Sequence, residues 1–230
     1  YPTRADAAAD TNKTNLSAAI TSQIVGAGLE LSAAWTSDTT RADNLTTQDG
    51  ISVKSGSISR RTVGALRASG TNTVDFSFGA IGVGGTEAKI YLWNLYNPVN
   101  VTCMVGDSTN SWTYATASWR SSDNSATMRV SFVCGDNSDG FLASFGGTIT
   151  TSGVNGAISI GYDSIIAISG SAATVGVNQT AGPTAAYGTR PTLGYHFIQA
   201  LEYSSGATTT FYGDAGAAYI QNGLFFHWRC

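Results

Sequence analysis

"MRVSFVC", residues 128–134, decides the fold class. Met128, Val130, Phe132 and Cys134 fall on alternate positions, with Arg129 and Ser131 between them. That is strand period, because successive side chains leave a strand on opposite sides. The same alternation closes the sequence. In "QNGLFFHWRC", residues 221–230, Leu224, Phe226 and Trp228 alternate with Phe225, His227 and Arg229. Asn222-Gly223 stands just before this run, after "YI", and predicts a hairpin turn. "KIYLWNLYN", residues 89–97, is nearly all apolar or aromatic, as expected of a strand covered on both faces. "GYHFIQALEY", "SSGA" and "TTTFYGD", residues 194–214, read as a further hairpin. Tyr195, Phe197, Leu201 and Tyr203 share one side of it, and Glu202 points outward. Gln, Ala, Leu and Glu also suit a helix over 195–201. The β-branched and aromatic return segment favours sheet.

Composition agrees with strands. The 230 residues are 42% hydrophobic, enough for one large core, alone or with an arm. Only 12% are charged, about half the usual share, so charge contributes little to solubility. Gly is abundant at 27 and Pro scarce at 4, which suits short strands joined by small-residue turns. Assembled proteins share this composition, because part of their surface is buried against copies. After residue 50 no long, capped amphipathic helix is visible, and no repeat is evident. The expected fold is all-β, a sandwich or jelly-roll-like domain over residues 29–230. Residues 1–28, rich in Ala, Thr and Asn, are expected to form an N-terminal arm or the end of a preceding module.

Several partners are not expected. The net charge is −3, and Arg60-Arg61 is the one basic cluster, so no groove tracks phosphates and no nucleic acid is predicted. No run of about 18 apolar residues occurs, so no membrane insertion is predicted. Cys103, Cys134 and Cys230 are odd in number and widely spaced, without a metal-binding pattern. Two buried thiols, one free terminal thiol and maturation in a reducing cytoplasm are expected.

A few stretches carry residue types that permit chemistry. "VTCMVGDST", residues 101–109, sets Gly106-Asp107-Ser108 after a predicted strand, which resembles the first block of GDSL (SGNH) esterases. A serine needs a base, and that family carries it in an Asp-x-x-His block. Here Leu193 and Leu224 occupy the positions three residues before His196 and His227. Asp107 and Ser108 are therefore expected to close a turn. "CGDNSDG", residues 134–140, lacks the order and the later Glu of a calcium loop. The three glutamates, Glu30, Glu87 and Glu202, and twelve aspartates single out no catalytic pair. No catalytic residue, metal ligand or cofactor is predicted. Trp112, Tyr114 and Trp119 remain as candidate carbohydrate-binding residues. Trp112 and Tyr114 share a face if "WTYATASW" is one strand, and Trp119 faces the other way. The same spacing serves a sandwich core.

Five stretches taken in order resemble a known family. They are "AWTSDTTRADNLTTQDGISVKSGSISRRTVGALRASGT" (34–71), "LWNLYNPV" (92–99), "DSTNSWTYATASWR" (107–120), "GYHFIQALEY…TTTFYGD" (194–214) and "QNGL" (221–224). Together they are similar to structural proteins of tailed-bacteriophage and prophage virions, of tail-fibre, spike or head-decoration type. The resemblance spans roughly residues 29–230 and brings no catalytic residues. After "LYNPV" the family has a basic stretch, where this chain reads "NVTCMVGD". The resemblance implies a structural rather than enzymatic role on a virion surface, after assembly in the host bacterial cytoplasm. It implies contacts with capsid, neck or tail proteins and with host surface glycan. Charge-poor strands with edges to cover add the expectation of self-association, as a homotrimer.

Overall fold

Alternating patterns place more than half of the described residues in strands. The computed structural model describes residues 21–25, 30–31, 44–55, 57–70, 73–80, 86–136, 139–214 and 219–230. Among these residues there are twenty strands, one 3-10 turn at Ser122–Asn124 and no α-helix. They form several antiparallel sheets, one curled into a half-barrel. Of the arm expected over residues 1–28, residues 1–20 and 26–28 lie outside the described residues.

The first sheet is built from β1 (Thr21–Val25), β2 (Glu30–Leu31), β3 (Leu45–Gln48), β4 (Ile51–Lys54) and β5 (Ser57–Arg67), in the order β2-β1-β5-β4-β3. β8 (Leu92–Asn94) also pairs with β5. Asp49 and Gly50 join β3 to β4 with φ of 51° and 78°, both left-handed. Two such residues make the tight turn whose twist matches a hairpin, and Gly50 adopts it without strain.

Two seven-stranded sheets carry the rest. One centres on β13 (Phe141–Thr151). Along one edge of β13 run β16 (Thr180–Ala181) and β17 (Thr184–Thr189); along the other run β19 (Thr209–Tyr212) and β20 (Asn222–Arg229). β10 (Ser111–Tyr114) extends β19, and β9 (Asn100–Val105) extends β20. The other sheet runs β15 (Ala173–Val175), β14 (Gly156–Tyr162), β18 (Gly194–Ser204), β12 (Arg129–Cys134), β7 (Ala88–Ile90) and β6 (Phe76–Ser77). β11 (Arg120–Ser121) also pairs with β18, and β7 with β12 is a parallel pair.

These two sheets face each other across one core. Phe132 of β12 lies 4.9 Å from Phe226, 5.3 Å from Trp228 and 5.5 Å from Phe141, between ring centroids. Met128, Val130, Phe132 and Cys134 are all buried, as their alternation predicts, and so are Leu224, Phe226 and Trp228. Ser131 and Val133 are buried as well, because the opposite side of β12 is also covered. Burying each large side chain contributes roughly 1.5–3 kcal/mol, so this cluster dominates the stabilisation.

Three local expectations are corrected. β18 and β19 are not a hairpin. Both edges of β18 are already taken, by β14 on one side and by β12 and β11 on the other, so the chain crosses to β13 and β10. Asn222-Gly223 is not a turn but the start of β20, paired with Gly147 and Gly146. "KIYLWNLYN" is not one strand. β7 ends at Ile90 and β8 begins at Leu92. At Tyr91 the amide donates to Asp75 and the carbonyl accepts from the Arg67 amide, which passes the chain from one sheet to another.

Candidate functional site

Residues 106–124 were the stretch richest in chemistry, and the structure gathers them around one buried carboxylate. β9 ends at Val105. Asp107 is buried, and its Oδ1 accepts the Thr109 amide at 2.8 Å, a local Asx turn. The Asp107 amide donates to Asn222 Oδ1 at 3.0 Å, fixing the turn to the start of β20. This is the turn role expected of Asp107. Ser108 is exposed beside it. The two imidazoles are engaged elsewhere. His227 Nδ1 meets Thr102 Oγ1 at 3.3 Å, and His196 lies between Asp163 and Thr192.

β10 then pairs with β19, setting Trp112 opposite Phe211 with the rings stacked at 6.2 Å. Trp112 Nε1 donates to Glu202 Oε2 at 2.6 Å. Glu202 is fully buried, which corrects its assignment to an outward position. β11 and the Ser122–Asn124 turn lie over β18 and supply its partners. Arg120 Nε and Nη2 both reach Glu202 Oε1 at 2.6 Å, and the Asp123 amide donates to Oε2 at 3.2 Å. Asp123 and Asn124 hold φ of 50° and 53° to make that turn, a region Asp and Asn tolerate better than other side chains.

The electrostatics follow from burial. Desolvation pushes the Glu202 carboxyl above its ordinary value, against the pull of Trp112, Arg120 and the Asp123 amide. Desolvation and then the Asp107 charge push Asp123 up, while Thr109 and Arg120 draw it down. Thr109 bridges the two aspartates, donating its amide to Asp107 Oδ1 and its hydroxyl to Asp123 Oδ2 at 3.1 Å. Both oxygens of Glu202 are occupied by protein donors, so the node anchors a loop to a strand. A buried ion pair of this kind is weak as net stabilisation, but removing one partner is strongly destabilising.

The three candidate aromatics part company here. Trp112 and Tyr114 lie on one face of β10, half-buried against the core. Tyr114 carries the Arg120 guanidinium over its ring at 4.0 Å and bonds Ser118 through its hydroxyl. The strand ends at Tyr114, so Trp119 follows no strand alternation. It packs on Tyr203 at 5.2 Å, and both are half-buried. Arg120, Asp123 and Glu202 were missed as a group. The readable signal was a lone acid within the apolar run "FIQALEY".

A second polar cluster sits on the core side of β18. His196 Nδ1 is 2.7 Å from Asp163 Oδ2 and 3.0 Å from the Tyr162 hydroxyl, and Nε2 is 2.8 Å from the Thr192 carbonyl. Asp163 Oδ1 accepts the Phe197 amide at 2.8 Å. Thr192 Oγ1 lies 3.5 Å from Nε2, longer than a working hydrogen bond, because the carbonyl of the same residue occupies that nitrogen. The cluster ties the 190–193 loop and the end of β14 to β18. Among the described residues no three His, Cys, Asp or Glu side chains gather as a metal site. No protein-family model matches the chain, and no curated protein matches it closely enough to count as a relative.

Proposed function

We propose that the two facing sheets form a sandwich of jelly-roll type, and that this domain is a structural component of a tailed-bacteriophage virion surface. In this reading residues 29–230 are the surface domain of a fibre, spike or head decoration, residues 1–28 are its arm, and the chain assembles as a homotrimer. The resemblance of five ordered stretches supports the virion assignment. The observation that carries the assembly is the outward face of β13 and β20. Leu142 is 58% and Phe225 45% exposed, and Met104 lies beside Phe225 through the β9 register. Met104 and Phe225, with Ile220 and the small residues Gly146 and Gly223, border a groove of about 330 Å³ that also takes in Ser144, Thr184, Gln221 and Asn222 and that no Asp, Glu, Lys or Arg among the described residues lines. Contiguous apolar surface of this kind marks an interaction site.

Peptide mass spectrometry of gradient-purified particles tests the assignment. The chain is expected at fixed stoichiometry with capsid, neck or tail proteins; its absence from the particles refutes the reading. Native mass spectrometry separately reads the trimer, and a monomer at micromolar concentration overturns that part.

Host-glycan binding is a second reading, favoured by the half-exposed Trp119 and Tyr203 pair. Glycan-array binding lost in Trp119→Ala, with thermal stability retained, supports it. Binding unchanged in that variant removes the pair from the site. Trp112→Ala is the poorer probe, because it also strips a donor from Glu202.

A further inference from the structure

A closed trimer needs two different surfaces on each copy. Around a threefold axis the contacts are heterologous, so one patch of a copy meets a second, distinct patch of the next. The groove on the β13 and β20 face supplies one of them. The loop after β14 supplies a surface of the opposite shape. At its tip Ile165 is 52% and Ile166 70% exposed. The loop is braced on both sides of them. The Asp163 amide donates to the Phe197 carbonyl at 2.9 Å, and the Asp163 carboxylate accepts the Phe197 amide at 2.8 Å. The Ile166 amide donates to Ser164 Oγ at 3.0 Å. Past the tip, the Ile168 amide returns to the Ile160 carbonyl at 3.1 Å, and the Ile168 side chain packs against the core. Ser171 closes the base, its amide on the Ile168 carbonyl and its hydroxyl 2.7 Å from Ser159 Oγ. The tip is therefore a fixed apolar knob. Its β-branched side chains are stiff and lose little freedom on docking.

Knob and groove match in size and polarity. A volume of about 150 Å³ holds a six-carbon ring, so the eight side-chain carbons of two isoleucines need about 200 Å³. The groove offers about 330 Å³, with Met104, Ile220 and Phe225 as apolar walls. Gly146 and Gly223 put no side chain into it. A copy does not seat its own knob. The loop is tied to Ile160 and Phe197, on the sheet across the core, while the groove opens on the outward face of β13 and β20. We propose that Ile165 and Ile166 of one copy fill the β13 and β20 groove of the next, and that three such contacts close the ring. This contact rests on the homotrimer reading and gives it its second surface.

The test places one added cysteine on either side of the contact in the whole chain. Ile166→Cys stands on the knob and Ser144→Cys in the groove. Co-expressed and oxidised, the two variants are expected to give a disulfide-linked dimer on a non-reducing gel, and neither alone to give one. The native thiols are buried and common to both. Native mass spectrometry is the second arm. Ile165→Ser combined with Ile166→Ser is expected to raise the concentration at which the trimer dissociates about a hundredfold, with an unchanged near-ultraviolet circular dichroism spectrum as the check on folding. A trimer that gives no mixed dimer and survives the serine substitutions overturns the knob-in-groove contact and leaves the trimer standing. A monomeric parent chain overturns both. Dimers from Ser144→Cys alone set groove against groove and also overturn the contact.

Discussion

Replacing Glu202 by Gln tests how the 106–124 segment is held. The carboxylate is fully buried and accepts from Trp112 Nε1, the Arg120 fork and the Asp123 amide. Glutamine keeps the shape but has only one oxygen, so its amide must face donors on one side. Facing Trp112 and the Asp123 amide would leave two donors without an acceptor. Facing Arg120 is cheaper, because that side chain is 26% exposed and turns to solvent. Glutamine therefore keeps its oxygen on Trp112 and releases Arg120. A charge-assisted hydrogen bond contributes about 1.5–3 kcal/mol, and moving Arg120 off the Tyr114 ring forfeits roughly 0.5–1 kcal/mol more. Burying a neutral group instead of a charge returns part of this, in keeping with the raised carboxyl. The net loss is about 2 kcal/mol, or a Tm lower by about 4–8 °C for a chain of this size. Calorimetry with urea unfolding at neutral pH measures it. A Gln variant as stable as the parent would refute the anchoring role of Glu202.

Phe132→Ala, at the centre of the aromatic core, is expected to cost about 3–5 kcal/mol in urea unfolding; less than 1 kcal/mol would show that the sheets do not share that core. Gly135→Ala drives a methyl into the Trp93 indole and is expected to cost about 1–3 kcal/mol, read from the same midpoint. Burial pushes the Cys103 thiol up to about 12 and Cys230 up to about 11. At pH 8 both are expected to resist a thiol reagent until denaturant is added, since the thiolate is the reacting form. A thiol raised in the folded state favours folding fully below its ordinary value of 9.0 and loses that contribution as pH rises to about 12. The urea midpoint should therefore fall across that window, and less steeply in Cys103→Ala.

The strands were legible where one face is apolar and the other is not. Alternation in 224–229 identified the inward residues, because solvent on one side enforces the pattern; in 128–134 it identified residues that face the shared core, although Ser131 and Val133 on the other side are covered as well. Pairing was less legible. Asn222-Gly223 has the composition of a hairpin turn, yet Asn222 is held by the Asp107 amide, more than 100 residues away in sequence. The 194–214 hairpin failed for a topological reason, since local sequence does not say that both edges of β18 are already filled. Asp49-Gly50, a dipeptide the sequence reading passed over, does make the hairpin turn between β3 and β4. The Glu202 node was invisible because strand parity alone placed Glu202, and the loop that buries it comes from 80 residues earlier. Trp93 looked like one aromatic among several in "LWNLYN", and only the glycine beneath its ring sets it apart.

The assignment to a virion surface is tested most directly by cryo-electron microscopy of the intact particle that carries this chain. The account predicts threefold density outside the particle shell or along the tail, into which the two facing sheets fit, with the β13 and β20 face turned toward a neighbouring copy. Particles of full composition with no density for this fold on their exterior would contradict it.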